Sequence, residues 1–234
     1  MSPTKRIQKL IYLISVVIFV LVVGPWVYIN IISEDAPAPF SELQNGQETF
    51  NPNSSVVDIA GLWTVSSSSK VGYRVKEQIV LRKLETVGRT ESVSGSLSIS
   101  NLEVKNASFE VDMKTLQSDR GQRDAQFNGR IMDTDTYPKA FFELKRSIFL
   151  LQTPEPGEMI LKSAVGNLTL RGITKEVVFF VSASLNNAII TITGQIPIRF
   201  SEWGIPNPSV PVVFIFTEAN GLLEFNLVFN KVEG

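Results

Sequence analysis

The sequence predicts an all-β domain, an extended antiparallel barrel with one short helix, held outside the cytoplasm by a single transmembrane α-helix. Three observations carry this. Leu10–Ile29 is an apolar run without a formal charge. Residues 33–60 are rich in Pro, Ser, Asn and Gly and show no period. From Gly61 onward, apolar residues recur at every second position in segment after segment, as in strands with one face on a core.

Composition narrows the chemistry first. The chain has 234 residues, a net charge of −1, no Cys and no His. Without Cys there is no disulfide framework, no thiolate nucleophile and no lipid-modified cysteine anchor. Without His there is no Ser-His-Asp triad and no His-ligated zinc. The charge balance offers no basic surface for nucleic acid. No metal and no required cofactor are expected.

The first element is the membrane segment. As a helix, Leu10–Ile29 spans ~30 Å, the thickness of a bilayer core. Lys5, Arg6 and Lys9 precede it, and Glu34 and Asp35 follow. The positive flank stays in the cytoplasm, which puts the C-terminal domain outside. Tyr12, Trp26 and Tyr28 fall where interfacial aromatics belong, and Gly24-Pro25 marks a late kink. A cleaved signal peptide is the competing reading. It is disfavoured because the run is too long and because Ala36-Pro37-Ala38 is followed by Pro39. The expected organisation is a cytoplasmic tail over 1–9, a transmembrane helix over 10–32, a flexible linker over 33–60 and the β domain over 61–234. The protein is then single-pass in the cell membrane.

The strands follow. Ala107, Phe109, Val111 and Met113 alternate with Ser108, Glu110 and Asp112. Val177, Phe179, Val181, Ala183 and Leu185 share one face; Ile190, Ile192, Ile196 and Ile198 share another; so do Leu223, Phe225, Leu227 and Phe229. Further strands are expected at Leu62–Ser66, Val71–Leu81, Val93–Ser100, Phe141–Leu150, Met159–Leu170 and Val210–Thr217. Turns are marked by Asn101, Pro154–Gly157, Asn186-Asn187 and Asn220-Gly221. One apolar face per strand points to antiparallel pairing, and closure would remove the exposed edges.

Leu116–Met132 breaks the alternation. Asp119 followed by Gln122 forms a capping box, so a helix is expected from Arg120 to about Asn128, ended by Gly129. Its charges serve local ion pairs more readily than a ligand.

The ordered stretches of this domain resemble the YceI-like family of lipid- and polyisoprenoid-binding proteins. They are Trp63-Thr64-Val65, Ser69, Gly72-Tyr73-Arg74-Val75-Lys76-Glu77, Val87-Gly88-Arg89-Thr90, Val93–Leu97, Val111-Asp112-Met113, Leu116, Ser118-Asp119-Arg120, Arg123-Asp124, Tyr137-Pro138, Phe142 and Gly166–Lys175. Arg171 departs from the pattern, standing where His is usual. The resemblance implies an extended lipocalin-like antiparallel barrel with a long apolar cavity holding an isoprenoid quinone or other polyprenyl chain. It also implies a periplasmic or secreted bacterial setting, and barrel dimers would fit it.

Strand parity then supplies the cavity candidates: Tyr73 and Val75, Phe109 and Val111, Phe142 and Leu144, Leu168 and Leu170, Phe179 and Val181, Ile196 and Ile198, Phe225 and Leu227. Each serves equally well as core filling. Arg120, Arg123 and Asp124 are the candidates for a ligand's polar head. Two rivals remain. Catalysis has thin support: Asp133-Thr134-Asp135 starts like a calcium loop but lacks its Gly and Glu, and no nucleophile elbow, P-loop or dinucleotide fingerprint is present. A docking module of the cell envelope would need only a filled core, so the discriminating observation is whether the barrel is hollow.

Overall fold

The computed structural model describes residues 3–27, 36–40 and 58–232, apart from 80–81, 187 and 212–214. An N-terminal helix, α1 (Pro3–Val27), runs through Gly24 and Pro25. Eleven strands follow: β1 (Gly61–Val65), β2 (Lys70–Ile79), β3 (Arg82–Thr90), β4 (Val93–Ser100), β5 (Glu103–Asp112), β6 (Lys139–Leu144), β7 (Ile148–Phe149), β8 (Met159–Leu170), β9 (Ile173–Asn186), β10 (Ile189–Arg199) and β11 (Ile215–Lys231). A short helix, α2 (Gly121–Gln126), lies between β5 and β6.

The described pairings are antiparallel. The path β1-β4-β5-β6-β8-β9-β10-β11 returns to β1 and closes a ring. The edge of β11 away from β10 serves two neighbours. Phe229–Lys231 pair with β1, while Ile215–Thr217 and Gly221–Asn226 pair with β2, which carries β3. The far edge of β3 meets the segment before α2 through the isolated bridge Arg89↔Gln117. The helical segment therefore lies where the wall is incomplete.

The alternation explains the wall. On β9, Val177, Phe179, Val181 and Leu185 are buried, and Glu176, Val178 and Phe180 are exposed. Two hairpins have two-residue turns with both residues in the left-handed region: Asn101 (φ 52°) with Leu102 (φ 58°), and Arg171 (φ 46°) with Gly172 (φ 72°). Such turns match the twist of the strands they join.

Several expectations change. β3 was not expected as a strand. Asn220-Gly221 is no turn but lies within β11, at the register shift between Thr217 and Gly221. The expected strand Phe141–Leu150 is two, because β6 pairs with β8 only as far as Leu144↔Gly166 while β7 returns to β5. In the strand expected over Val210–Thr217, residues 212–214 lie outside the described ones, and β11 begins at Ile215. No capping box forms. Arg120 is the N-cap without a side-chain cap, and Asp119 pairs with Arg120 and Arg123 instead. Gly129 does not end the helix either, since a π-helical turn continues through Phe127–Ile131.

The stretch 33–60 is more than a spacer. Ala36–Phe40 lies against the outer wall, and Phe40 is buried. Ile59 is also buried, and its carbonyl accepts from the Trp63 indole at 2.9 Å. The rest of that stretch, 33–35 and 41–57, lies outside the described residues, as do residues 28–32 of the expected membrane segment. Among the described residues no helix is long and apolar enough to cross a membrane. The side chains of α1 from Ile7 to Val20 are all exposed.

Two apolar clusters stand at opposite ends of the ring. One gathers Trp63, Leu97, Leu185, Leu227 and Phe229. The other gathers Val75, Met113, Phe127, Leu168, Ile198 and Trp203.

Candidate functional site

Between the two clusters runs a cavity of about 490 Å³. Neighbouring aromatic rings form a ladder along its wall. Phe229 meets Phe109 at 5.8 Å between centroids, and Phe109 lies 6.2 Å from Phe142. Phe142 meets Phe179 edge-on at 5.5 Å, and Phe179 meets Phe225 the same way at 5.9 Å. Edge-on and offset contacts are the favoured ring geometries. At one end the fully buried Trp63 and Phe229 pack with Leu97.

Glycines make room for the rings. Tyr73 pairs with Gly88 across β2 and β3, and a Cβ at Gly88 would lie 2.4 Å from the Tyr73 ring. Gly72 on β2 stands in the same relation to Arg89 on β3, where a Cβ would lie 2.2 Å from the Gly88 carbonyl and 2.9 Å from Arg89 Cγ. The two Gly-containing dipeptides thus interlock. Tyr73 lies over Gly88 on the inner face, and Arg89 crosses Gly72 on the outer face. Gly88→Ala should push the Tyr73 ring out of place at a cost of about 1–3 kcal/mol, the range for overpacking. Chemical denaturation would measure it, and an unchanged midpoint would contradict the close fit.

The other end of the cavity is polar. Glu77, Thr86, Arg120, Gln122, Arg123 and Gln126 line it. Thr86 Oγ1 donates to Glu77 at 2.9 Å, and Arg123 lies 3.7 Å from Glu77 and pairs with Asp119. Tyr73 stacks on Phe127 at 5.0 Å with 9° between planes, placing a phenol among these charges. Burial pushes the Tyr73 phenol above its ordinary value near 10; Arg123 opposes the shift, and Asp124, Glu77 and Asp119 add to it. The folded state thus favours the neutral phenol. That contribution to stability is fully present below the ordinary value and declines as pH rises through the shifted one. Tyr73→Phe should leave the phenolate absorbance titration unaltered below about pH 11. A lost titration step in that range would contradict the shift.

All the inward candidates given by strand parity, from Tyr73 and Val75 to Phe225 and Leu227, line this cavity. Arg120 and Arg123 line it too. Asp124 is turned away and accepts from the Ser118 N–H at 2.8 Å and the Ser118 hydroxyl at 2.6 Å, bracing the start of α2. Parity missed the lining from the irregular segment: Leu116, Phe127, Ile131 and Met132. The i, i+4 spacing of Phe127 and Ile131 was the available signal. It also missed Lys162, whose position on β8 has cavity-facing parity. Arg171 belongs to a turn, with its guanidinium 5.8 Å from the Tyr137 ring and donating to the Gly204 carbonyl. Among the described residues no metal-binding group of three or more acidic side chains occurs.

The family model described as the YceI-like domain matches residues 63–229. Among solved structures, Burkholderia cenocepacia BcnA aligns at 22% identity with a TM-score of 0.56, over 70% of this chain and 98% of its own. A polyisoprenoid binding domain from Saccharophagus degradans, described as implicated in plant cell wall breakdown, aligns at 13% identity with a TM-score of 0.57, over 73% of this chain and 98% of its own. At such identities the likeness concerns the fold. No curated protein matches the chain.

Proposed function

The chain belongs to the YceI-like domain family, and from that premise we propose that it is an extracytoplasmic, membrane-anchored binding protein. Its barrel holds an isoprenoid or other long apolar lipid for carriage, storage or protection. The carrying observation is the hollow barrel, with an aromatic wall, an apolar floor and a cluster of charged groups at the other end. A docking module with a filled core would not need such a lumen. The structurally similar domain from Saccharophagus degradans, described as polyisoprenoid binding, supports the same reading.

Burying a tail gains ~0.8 kcal/mol per CH₂-sized unit. The bilayer offers the tail a comparable gain, so transfer lies near balance, which suits a carrier. The polar end sets the head group. Arg120 and Arg123 stand among Glu77, Asp119 and Asp124, two positive charges against three negative. The arginines are already paired there with carboxylates. That balance favours a neutral head, such as a quinone or an alcohol, over a phosphate. No catalytic step is proposed.

Denaturing mass spectrometry of the full chain, purified from a bacterial membrane in mild detergent, tests the reading. A stoichiometric apolar molecule with a neutral head is expected. Protein that arrives empty and refuses both added quinone and added polyprenol would overturn it.

The anchor is proposed on the sequence. Leu10–Ile29 is charge-free behind Lys5, Arg6 and Lys9, and the apolar side chains described along α1 find no core. Such a surface calls for lipid around it. Removing residues 1–32 should move the protein from the membrane fraction to the soluble one. Retention of the shortened protein in the membrane would refute the anchor.

A further inference from the structure

The outer wall carries a second built site, occupied by the chain itself. Glu224 on β11, Arg74 on β2 and Arg89 on β3 form a triad. Glu224 is 1% exposed and Arg74 4%. Arg74 Nε donates to Glu224 at 3.2 Å, and Arg89 donates to it from Nε at 2.9 Å and from Nη2 at 2.7 Å. Arg74 Nη1 also pairs with Glu85 at 2.7 Å. The remaining donors point outward to the segment Ala36–Phe40. Arg74 Nη2 donates to the Pro37 carbonyl and Arg89 Nη2 to the Ala38 carbonyl, each at 2.6 Å. Arg89 Cζ lies 4.0 Å from the centre of the Phe40 ring, and Phe40 is 3% exposed. A guanidinium suits this task, because its fixed fork serves a carboxylate and a carbonyl together while its face takes a ring.

The same Arg89 reaches the polar end of the cavity through its backbone. Its N–H donates to Gln117 at 2.8 Å, and its carbonyl accepts from Gln117 at 3.0 Å. Ser118, the next residue, is held by Asp124 of α2. The strand partner of Arg89, Gly72, precedes Tyr73, which stacks on Phe127 where α2 ends. The docked segment and the polar end of the cavity therefore share one strand pair, contacted from opposite faces.

We infer that this site is an intramolecular dock for residues 36–40, and that its occupancy holds the Gln117 segment and α2 over the polar end of the cavity. Arg89 is the positioning residue that joins the two. The dock stands on the observed contacts. Its consequence for uptake rests on the lipid-binding reading. Backbone carbonyls and one aromatic ring make up the recognised surface, so Phe40 is the side chain through which the segment can be released with all three residues of the triad kept.

The test uses the full chain in phosphatidylcholine nanodiscs, as wild type and as Phe40→Ala. Hydrogen exchange is followed at the Gln117 amide and along α2, with the β8 and β9 amides reporting the integrity of the barrel. Phe40→Ala is expected to speed exchange at Gln117 and α2 about tenfold and leave β8 and β9 unchanged. Wild-type rates at Gln117 and α2 in that variant would overturn the proposal. Arg89→Lys keeps the charge and loses the fork; it should speed the same amides, and wild-type rates there would also count against the dock. In delipidated protein, uptake of a quinone with two isoprene units should be several-fold faster in Phe40→Ala, at equal stoichiometry. Equal uptake rates would refute the link to the cavity. If neither protein takes up quinone, the lipid reading fails, and the exchange rates still decide the dock.

Discussion

Ala183→Trp is expected to abolish lipid capture and leave the barrel standing. Ala183 is half-buried on β9 with its side chain in the lumen, between Ile160 of β8 and Ile192 of β10. An indole is larger than benzene, which an apolar cavity of about 150 Å³ can hold. It therefore removes a large share of the 490 Å³ present. A tail that must lie along the aromatic ladder then has nowhere to go, and affinity should fall more than about a hundredfold, roughly 3 kcal/mol. Because the added ring enters vacant space, stability should change by no more than about 1–2 kcal/mol. Titration with a fluorescent or brominated quinone, alongside thermal unfolding, reads both quantities. Unchanged affinity with unchanged stability would mean that ligand lies elsewhere and that the lumen is a packing defect.

The second large effect is on stability. Glu224→Ala should destabilise the domain by about 3–5 kcal/mol, the range for leaving buried charge without its partner. Glu224 accepts from two guanidinium groups and has almost no contact with water. Removing it strands Arg74, which is 4% exposed and keeps only Glu85 and the Pro37 carbonyl. For a domain of this size that is a fall in melting temperature of roughly 6–20 °C. Glu224→Gln, which keeps an acceptor and the shape, should cost less. The exposed pair Lys70–Glu91, at 3.1 Å, supplies the control, because Glu91→Ala should stay within about 1 kcal/mol. If Glu224→Ala and Glu91→Ala melt alike, the triad does not hold the wall together.

The sequence made the lumen legible wherever a strand alternates cleanly. Phe179 and Val181 on β9, Ile196 and Ile198 on β10, and Phe225 and Leu227 on β11 follow from period two alone. Its failures have local causes. β3 escaped because Val87, Gly88 and Arg89 erase the alternation: Arg89 is held on the outer face, and Gly88 yields its inner place to Tyr73. The end at Asn220-Gly221 was read as a turn because Asn-Gly usually is one. Here the pair sits at a register shift, where Gly221 makes room beside Phe200 and Val75. Asp124 looked like a head-group ligand because it is charged and near two arginines, but the Ser118 hydroxyl and amide claim it. The docked Ala36–Phe40 could not be read at all. Its recognition is mostly by backbone carbonyls, which leave no trace in side-chain pattern, and its partners lie far along the chain in β2 and β3.

That docking shortens the leash. On the proposed anchor, the span that matters runs from Val27, the last described residue of the N-terminal helix, to the first hydrogen bond with the barrel at Pro37 rather than near Ile59. Ten Cα steps reach at most about 34 Å, whereas thirty-two would reach about 110 Å. The volume the barrel can search falls roughly thirtyfold, and the local concentration of bilayer lipid it meets rises in step. A protein that exchanges cargo with one membrane gains frequency of encounter from a short leash and gives up the reach to serve a second membrane.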